Sequence, residues 1–168
     1  MFDATFTLLG VVSGSAFVSN PDTRLIILTL VSSSVALGIS SSVSVYEAES
    51  LEGERDIEEL EKAMLVELEN TVHAQAVGRR ALLGSVVMFV TPQVPCIITL
   101  APFLLARADL LAVGLAGWVS IGLALCTLAV VGTVMGKNGK GSPVLKGVRM
   151  AFFGALAFVI GYFLESLV

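Results

Sequence analysis

Carboxylates are the residues best suited to chemistry in this 168-residue chain. From about Ser50 to Val77, Glu52, Glu54, Asp56, Glu58, Glu59, Glu61, Glu67 and Glu69 interleave with apolar residues. The pattern predicts one long helix, with Ser50 as its cap and acidic first turns that suit the helix dipole. Ile57, Leu60, Met64, Leu68 and Val72 recur at three- and four-residue steps and form one apolar stripe. Stepping about 100° per residue, Glu61 lands inside that stripe, Glu54 shares its direction, and Glu58 lies on the adjoining flank. A carboxylate on a packing face is costly unless something neutralises it.

Glu54, Glu58 and Glu61 thus make a ladder along one edge of the helix, with Met64 close by. Hard divalent cations want several carboxylate oxygens, and a thioether favours a transition metal such as Fe²⁺ over Ca²⁺. One helix cannot close a coordination shell. A second copy, or another segment, has to supply the rest. The alternative is a solvated helix in which Glu58 pairs with Lys62 one turn on. His73 points to a different side and reads as a surface histidine.

Two further features could do chemistry. Pro92, Pro95 and Pro102 interrupt an apolar run, and Gln93 sits inside the first break with a side-chain amide. Broken membrane helices free carbonyls that coordinate cations or substrates, so Gln93 is a candidate pathway residue; a plain proline kink is the other reading. Seven serines between Ser32 and Ser44 suggest a helix facing protein or water, although serines can also satisfy themselves on preceding carbonyls.

The elements that must position these groups follow from composition. The chain is 55% hydrophobic and 14% charged, where a soluble domain carries about a quarter charged residues. More than half of the charged residues fall between Glu47 and Arg80. Long uncharged apolar runs fill the rest and predict transmembrane helices. The expected fold is therefore an all-α integral membrane protein. Its five spans fall at about 4–19, 24–46, 81–105, 110–135 and 148–167, with one long acidic cytoplasmic helix between the second and third. The expected divisions are 1–47 (spans one and two), 48–80 (the acidic amphipathic helix) and 81–168 (spans three to five). The opening residues carry no positive charge, so the first apolar segment is expected to be retained.

Orientation follows from the basic residues. Arg55, Lys62, Arg79, Arg80, Lys137, Lys140, Lys146 and Arg149 belong to the two larger loops and their edges; only Arg24 and Arg107 lie at the other side. The positive-inside rule then puts the N-terminus in and the C-terminus out. Gly10 and Gly14, Gly132 and Gly136, and the heptad series Gly147, Gly154 and Gly161 are expected to mark helix-packing faces. Cys96 and Cys126 read as small buried hydrophobes. No basic patch supports nucleic-acid binding, and no nucleophile, base and acid come together as an enzyme requires.

The chain resembles the vacuolar iron transporter family, nearest to small prokaryotic members with a short cytoplasmic insert. The likeness is carried by Phe2–Thr5 through Gly10–Gly14, by Ala36–Ser40 running into Tyr46, by Arg55–Met64, by Pro102-Phe103 and by Gly161-Tyr162. The resemblance implies a dimeric, proton-coupled carrier of Fe²⁺ or a related divalent metal such as Mn²⁺. It makes Asp3 the first-span carboxylate, and makes Glu54, Glu58 and Glu61, with Glu67, the cytoplasmic metal site. The chain departs from the family pattern in several places. No methionine occurs in the second span, Val45 stands where many members carry glutamate, and Thr91-Pro92 replaces a frequent Asp-Gly.

The expected function is divalent-metal transport by a homodimer in a prokaryotic cell membrane. Asp3 would act at the membrane edge, Glu47 and Glu49 would funnel cations at the mouth of the second span, and Gln93 would line the path. No permanently bound cofactor is expected; the metal ion is cargo or a regulatory ligand. The rival reading is a non-transporting membrane scaffold of the same fold, whose acidic helix binds a partner or dimerises.

Overall fold

In a computed structural model, the described residues are the whole chain except residue 19 and residues 65–71, 138–141 and 168; the side chains of residues 64, 72–76 and 164–167 also lie outside the description. Six helices account for nearly all of it, and no strand occurs among the described residues. They are α1 (Phe2–Ala16), α2 (Thr23–Met64), α3 (Val72–Val90), α4 (Gln93–Arg107), α5 (Val113–Lys137) and α6 (Pro143–Leu167). Four stretches are long and apolar enough to cross a membrane: Thr23–Ala63, Val77–Arg107, Val113–Lys137 and Pro143–Phe163. α1 is shorter, 15 residues or roughly 22 Å against a hydrocarbon core of about 30 Å.

Two units make up the chain. The first comprises Met1–Ser34 and Pro92–Val168, the second Val35–Thr91. α1 lies at the heart of the first unit, with Ala4, Thr5, Leu8, Leu9, Val12, Ser13 and Ala16 buried. Leu8, Leu9 and Val12 share a core with Ile26 and Leu30 of α2, Cys96 and Phe103 of α4, and Ile121, Ala124 and Leu128 of α5. Apolar burial cannot drive such packing in lipid, so close approach of small residues must do it. Gly132 of α5 faces Gly147 of α6, so a Cβ at Gly132 would stand 3.0 Å from the Gly147 Cα. Up the same face of α6, Gly154 lies against Leu125 and Leu128 of α5, and Gly161 against Ser13 of α1. The heptad of glycines is thus the seam on which α6 docks. Gly10 and Gly14 of α1 behave otherwise: both are exposed, with nothing within 4 Å of an added Cβ. Their spacing suits a helix contact, but the opposite face of α1 makes the contacts within the chain.

Packing also gives this unit its polarity. The start of α5 meets the end of α1, where Gly117 lies against Ala16 and Phe17. An aromatic cluster closes this end: Phe17 stacks edge-on with Trp118 at 5.2 Å, with Tyr162 at 6.1 Å and with Phe158 at 6.3 Å. Tyr and Trp with one apolar and one wet edge suit the membrane–water interface.

In the second unit, α2 continues past its serine-rich stretch without interruption. It is 42 residues, roughly 63 Å, or about twice the thickness of a bilayer core. The separate helix expected from Ser50 to Val77 is therefore the last third of α2 followed, beyond residues 65–71, by the start of α3. No proline occurs between Thr23 and Met64 to stop the helix, and Ser50 sits in its interior rather than at a cap. Within this unit α2 and α3 run antiparallel. Gly53 of α2 receives the Val77 side chain of α3, and Gly84 of α3 faces Val45 of α2 with a Cγ1 3.4 Å from an added Cβ. Ala81 and Ser85 are buried along the same side of α3.

The expected third span is two helices. α3 ends at Val90 and α4 begins at Gln93. Pro92 has no amide hydrogen and disfavours helical geometry in Thr91 before it. Pro95 lies in the first turn of α4, where its missing N–H costs nothing, and Pro102 is accommodated inside α4.

Candidate metal-binding groove

The second unit brings the ladder glutamates to one place. A groove of about 600 Å³ is lined by Tyr46, Ser50, Glu54, Ile57, Glu58 and Glu61 of α2 and by Val77 and Gly78 of α3. Seating Val77 on Gly53 lets the helices approach closely, and the glutamates stand along the open edge of that contact. Ile57 and Glu61 are half-buried; Glu54 and Glu58 are exposed. The groove offers carboxylate, phenol and hydroxyl oxygens, the donor set a hard or borderline divalent cation selects.

Electrostatics divides the three carboxylates. Lys62 Nζ donates to Glu58 Oε1 at 2.7 Å, forming an exposed ion pair one turn apart. The hydrogen bond first, and then the charge of the ammonium, holds the Glu58 carboxyl below its usual range. The same contacts raise Lys62. The pair in the solvated reading therefore exists beside the ladder, and a metal using Glu58 must displace an ammonium. Among the described residues no three His, Cys, Asp or Glu side chains converge closely enough to hold an ion alone.

Glu49 belongs to another groove, of about 230 Å³, with Glu52, Gly53, Asp56, Val77 and Arg80. Val77 thus forms a wall of both grooves. Arg80 supplies a positive charge in the smaller one, so Glu49 faces a mixed-charge surface there. Glu47 is exposed on α2, and Asp3 is exposed in the first turn of α1, its backbone carbonyl accepting from Thr7 Oγ1 at 2.9 Å. The side chain of Met64, Glu67, and the side chain of His73 lie outside the described residues.

Gln93 acts within the first unit. Its Nε2 donates to the Ser34 carbonyl at 3.1 Å, and its Oε1 lies 3.0 Å from Ser34 Oγ. The same hydroxyl is 2.9 Å from the Val31 carbonyl, so its one hydrogen is shared between two acceptors. Ser34 is the one fully buried member of the seven serines, with Ser32, Ser40 and Ser44 exposed and the other three half-buried. Sequence reasoning singled out both the serines and Gln93 but not their pairing. The signal was the coincidence of a buried-type amide at a helix break with a polar helix elsewhere. Of the cysteines, Cys96 is buried with its Sγ 3.6 Å from the Leu30 carbonyl, whereas Cys126 is exposed on α5.

Comparison with known proteins bears on the whole arrangement. The chain is 25% identical over 163 residues to an uncharacterized protein of Methanocaldococcus jannaschii, covering 95% of this chain and 81% of that one. No solved structure matches. The model of the VIT family matches residues 55–166, which takes in Glu58, Glu61, Gln93 and helices α3 to α6 and leaves Asp3, Glu47, Glu49 and Glu54 outside. By that match the chain belongs to the VIT family, the vacuolar iron transporters that its sequence resembles.

Proposed function

We propose that this protein is a divalent transition-metal transporter, carrying Fe²⁺ or Mn²⁺ in exchange for protons and working as a homodimer. The observation that carries the reading is the placement of Glu54, Glu58 and Glu61 on one groove wall of a family-typical helical membrane protein. In this reading five spans cross the membrane, counting the short α1, with the N-terminus and the distal half of α2 in the cytoplasm of a prokaryotic cell. The groove collects cations on the cytoplasmic side, with Met64 and Glu67 as further ligands. A second copy completes the coordination that one helix leaves open. Asp3 acts at the membrane edge of the first span, Glu47 and Glu49 funnel cations at the mouth of the second, and Gln93 lines the path at the helix break.

The test is uptake of Fe²⁺, Mn²⁺ and Zn²⁺ into proteoliposomes under an imposed pH gradient. Saturable Fe²⁺ or Mn²⁺ flux that moves protons, and that falls in Glu54→Gln, Glu61→Gln and Asp3→Ala, is the expected result. Flux unchanged by all three substitutions removes these residues from the mechanism.

A second reading is a membrane scaffold whose acidic helix binds a partner or dimerises without transport. The Lys62 pair favours it, because one ladder carboxylate already has a cation. Dimerisation indifferent to chelators, together with no metal flux, would establish this reading instead.

A further inference from the structure

At the aromatic end of the first unit, a groove of about 590 Å³ lies between the turn joining α1 to α2 and the turn joining α4 to α5. Asp22, Arg24, Arg107 and Asp109 all line it. Asp22 is already engaged, its Oδ1 accepting from the Arg24 amide at 2.8 Å to secure the start of α2. The two guanidiniums have no ion-pair or hydrogen-bonding partner among the described residues. Asp109 is the one non-glycine residue with a positive φ, 56°, among the described residues, and its carboxylate is likewise unpaired there. These are the two basic residues that sequence places on the side with fewest positive charges, so a general attraction to anionic surfaces does not explain them.

Depth narrows the choice of ligand. Val113 lines the groove, and Gly117 and Trp118, about one helical turn further along α5, belong to the aromatic end. The groove is therefore at headgroup level. Leu110, 72% exposed, and Leu25, 61% exposed, flank it with bare apolar side chains. A site with two forked cations, a separate carboxylate and apolar flanks is complementary to a phosphate, an ammonium and acyl chains on one molecule.

We propose that this groove binds a zwitterionic phospholipid, with its phosphate on Arg24 and Arg107 and a primary ammonium on Asp109. The inference stands apart from metal transport, since it uses none of the ladder glutamates. Phosphatidylethanolamine fits best. Phosphatidylcholine has no N–H to donate to Asp109, and phosphatidylglycerol offers that carboxylate only neutral hydroxyls, without the charge that strengthens an ammonium–carboxylate contact.

Native mass spectrometry of the whole protein in detergent, titrated separately with these three lipids and with inorganic phosphate, tests it. Phosphatidylethanolamine should be retained over the other two lipids. The double substitution Arg24→Gln/Arg107→Gln should cut that retention at least about tenfold, as expected when charge-assisted hydrogen bonds are lost. Asp109→Asn should abolish the preference over phosphatidylglycerol, and it should fold normally because asparagine tolerates a positive φ as well as aspartate does. Should the double variant misfold, Asp109→Asn and Arg107→Lys carry the test. Equal retention of the three lipids would overturn the proposal, as would a preference that survives loss of both arginines. Displacement of the lipid by inorganic phosphate alone would also overturn it, making the groove a free-anion site.

Discussion

Ser34 and Gln93 are joined in both directions, amide to carbonyl at 3.1 Å and hydroxyl to amide oxygen at 3.0 Å, with Ser34 buried on α2 and Gln93 at the first position of α4. A proline break leaves backbone groups without helical partners, and a buried amide alone would add to that cost. The pair instead ties the start of α4 to α2 at one point.

Removing either partner should therefore destabilise the protein. Interhelical hydrogen bonds in membranes contribute about 0.6 kcal/mol on average and up to about 1.7. Ser34→Ala and Gln93→Leu are each expected to cost on the order of 1 kcal/mol, with the double variant less than additive. Thermal unfolding in detergent across the four-member cycle measures the coupling; strict additivity would mean the two groups do not depend on each other.

The two sets of glycines should respond oppositely to alanine. At Gly147 an added Cβ meets the Ala129 carbonyl oxygen at 2.7 Å, and that backbone atom cannot swing aside. Gly147→Ala should cost about 1–3 kcal/mol, the usual range for overpacking. Gly10→Ala and Gly14→Ala meet nothing and should leave the folded monomer unharmed. If those two substitutions nevertheless weaken self-association in cross-linking, the bare face of α1 is where copies meet.

Lys62→Met should release Glu58. With the ammonium gone, the Glu58 carboxyl should rise toward its ordinary value, which carboxyl-carbon NMR titration reads directly. The sign of the linkage is set by the two shifts. Glu58, lowered, contributes above its unfolded pKa and loses that contribution as pH falls through its folded value; Lys62, raised, contributes below its unfolded pKa and loses it as pH rises through its folded value. The pair thus persists across neutral pH. Its members are 72% and 63% exposed, so little stability rests on it.

The same variant predicts a functional gain. Freed from Lys62, Glu58 should tighten Mn²⁺ binding to the groove a few-fold, detectable by the loss of the free Mn²⁺ electron paramagnetic resonance signal. Glu61→Gln should weaken it. Unchanged binding in both would place the metal elsewhere.

Val77→Ala tests how the groove is built. Removing the side chain seated on Gly53 should loosen the α2–α3 contact, and a large-to-small change at a packed site of this kind costs roughly 1–2 kcal/mol. Mn²⁺ binding should fall with it although no ligand is touched. Retained binding would show that the glutamates hold their geometry without α3.

What the sequence determined by itself was governed by solvent. Uncharged apolar runs can be stable only as helices in lipid, because every backbone polar group there must be satisfied within its own segment. That principle is enough for an all-helical membrane protein, while proline's missing amide hydrogen marks the break at Pro92 and the seven-residue repeat of small residues marks the glycine face of α6. Helical periodicity likewise sufficed to group Glu54, Glu58 and Glu61, since residues three and four apart share a face whatever else the chain does.

Tertiary structure decided what periodicity leaves degenerate. Nothing local distinguishes Gly10 and Gly14, which are bare, from Gly132 and Gly147, which touch; only the neighbouring helix does. The continuity of α2 through Ser50 was hidden because a capping residue and an ordinary helical serine have the same side chain. The pairing of Ser34 with Gln93, and of Gly53 with Val77, joins positions far apart in the chain, and no local spacing encodes contacts of that kind. The groove of Arg24, Arg107 and Asp109 arises in the same way, from two turns that the helices bring to one end.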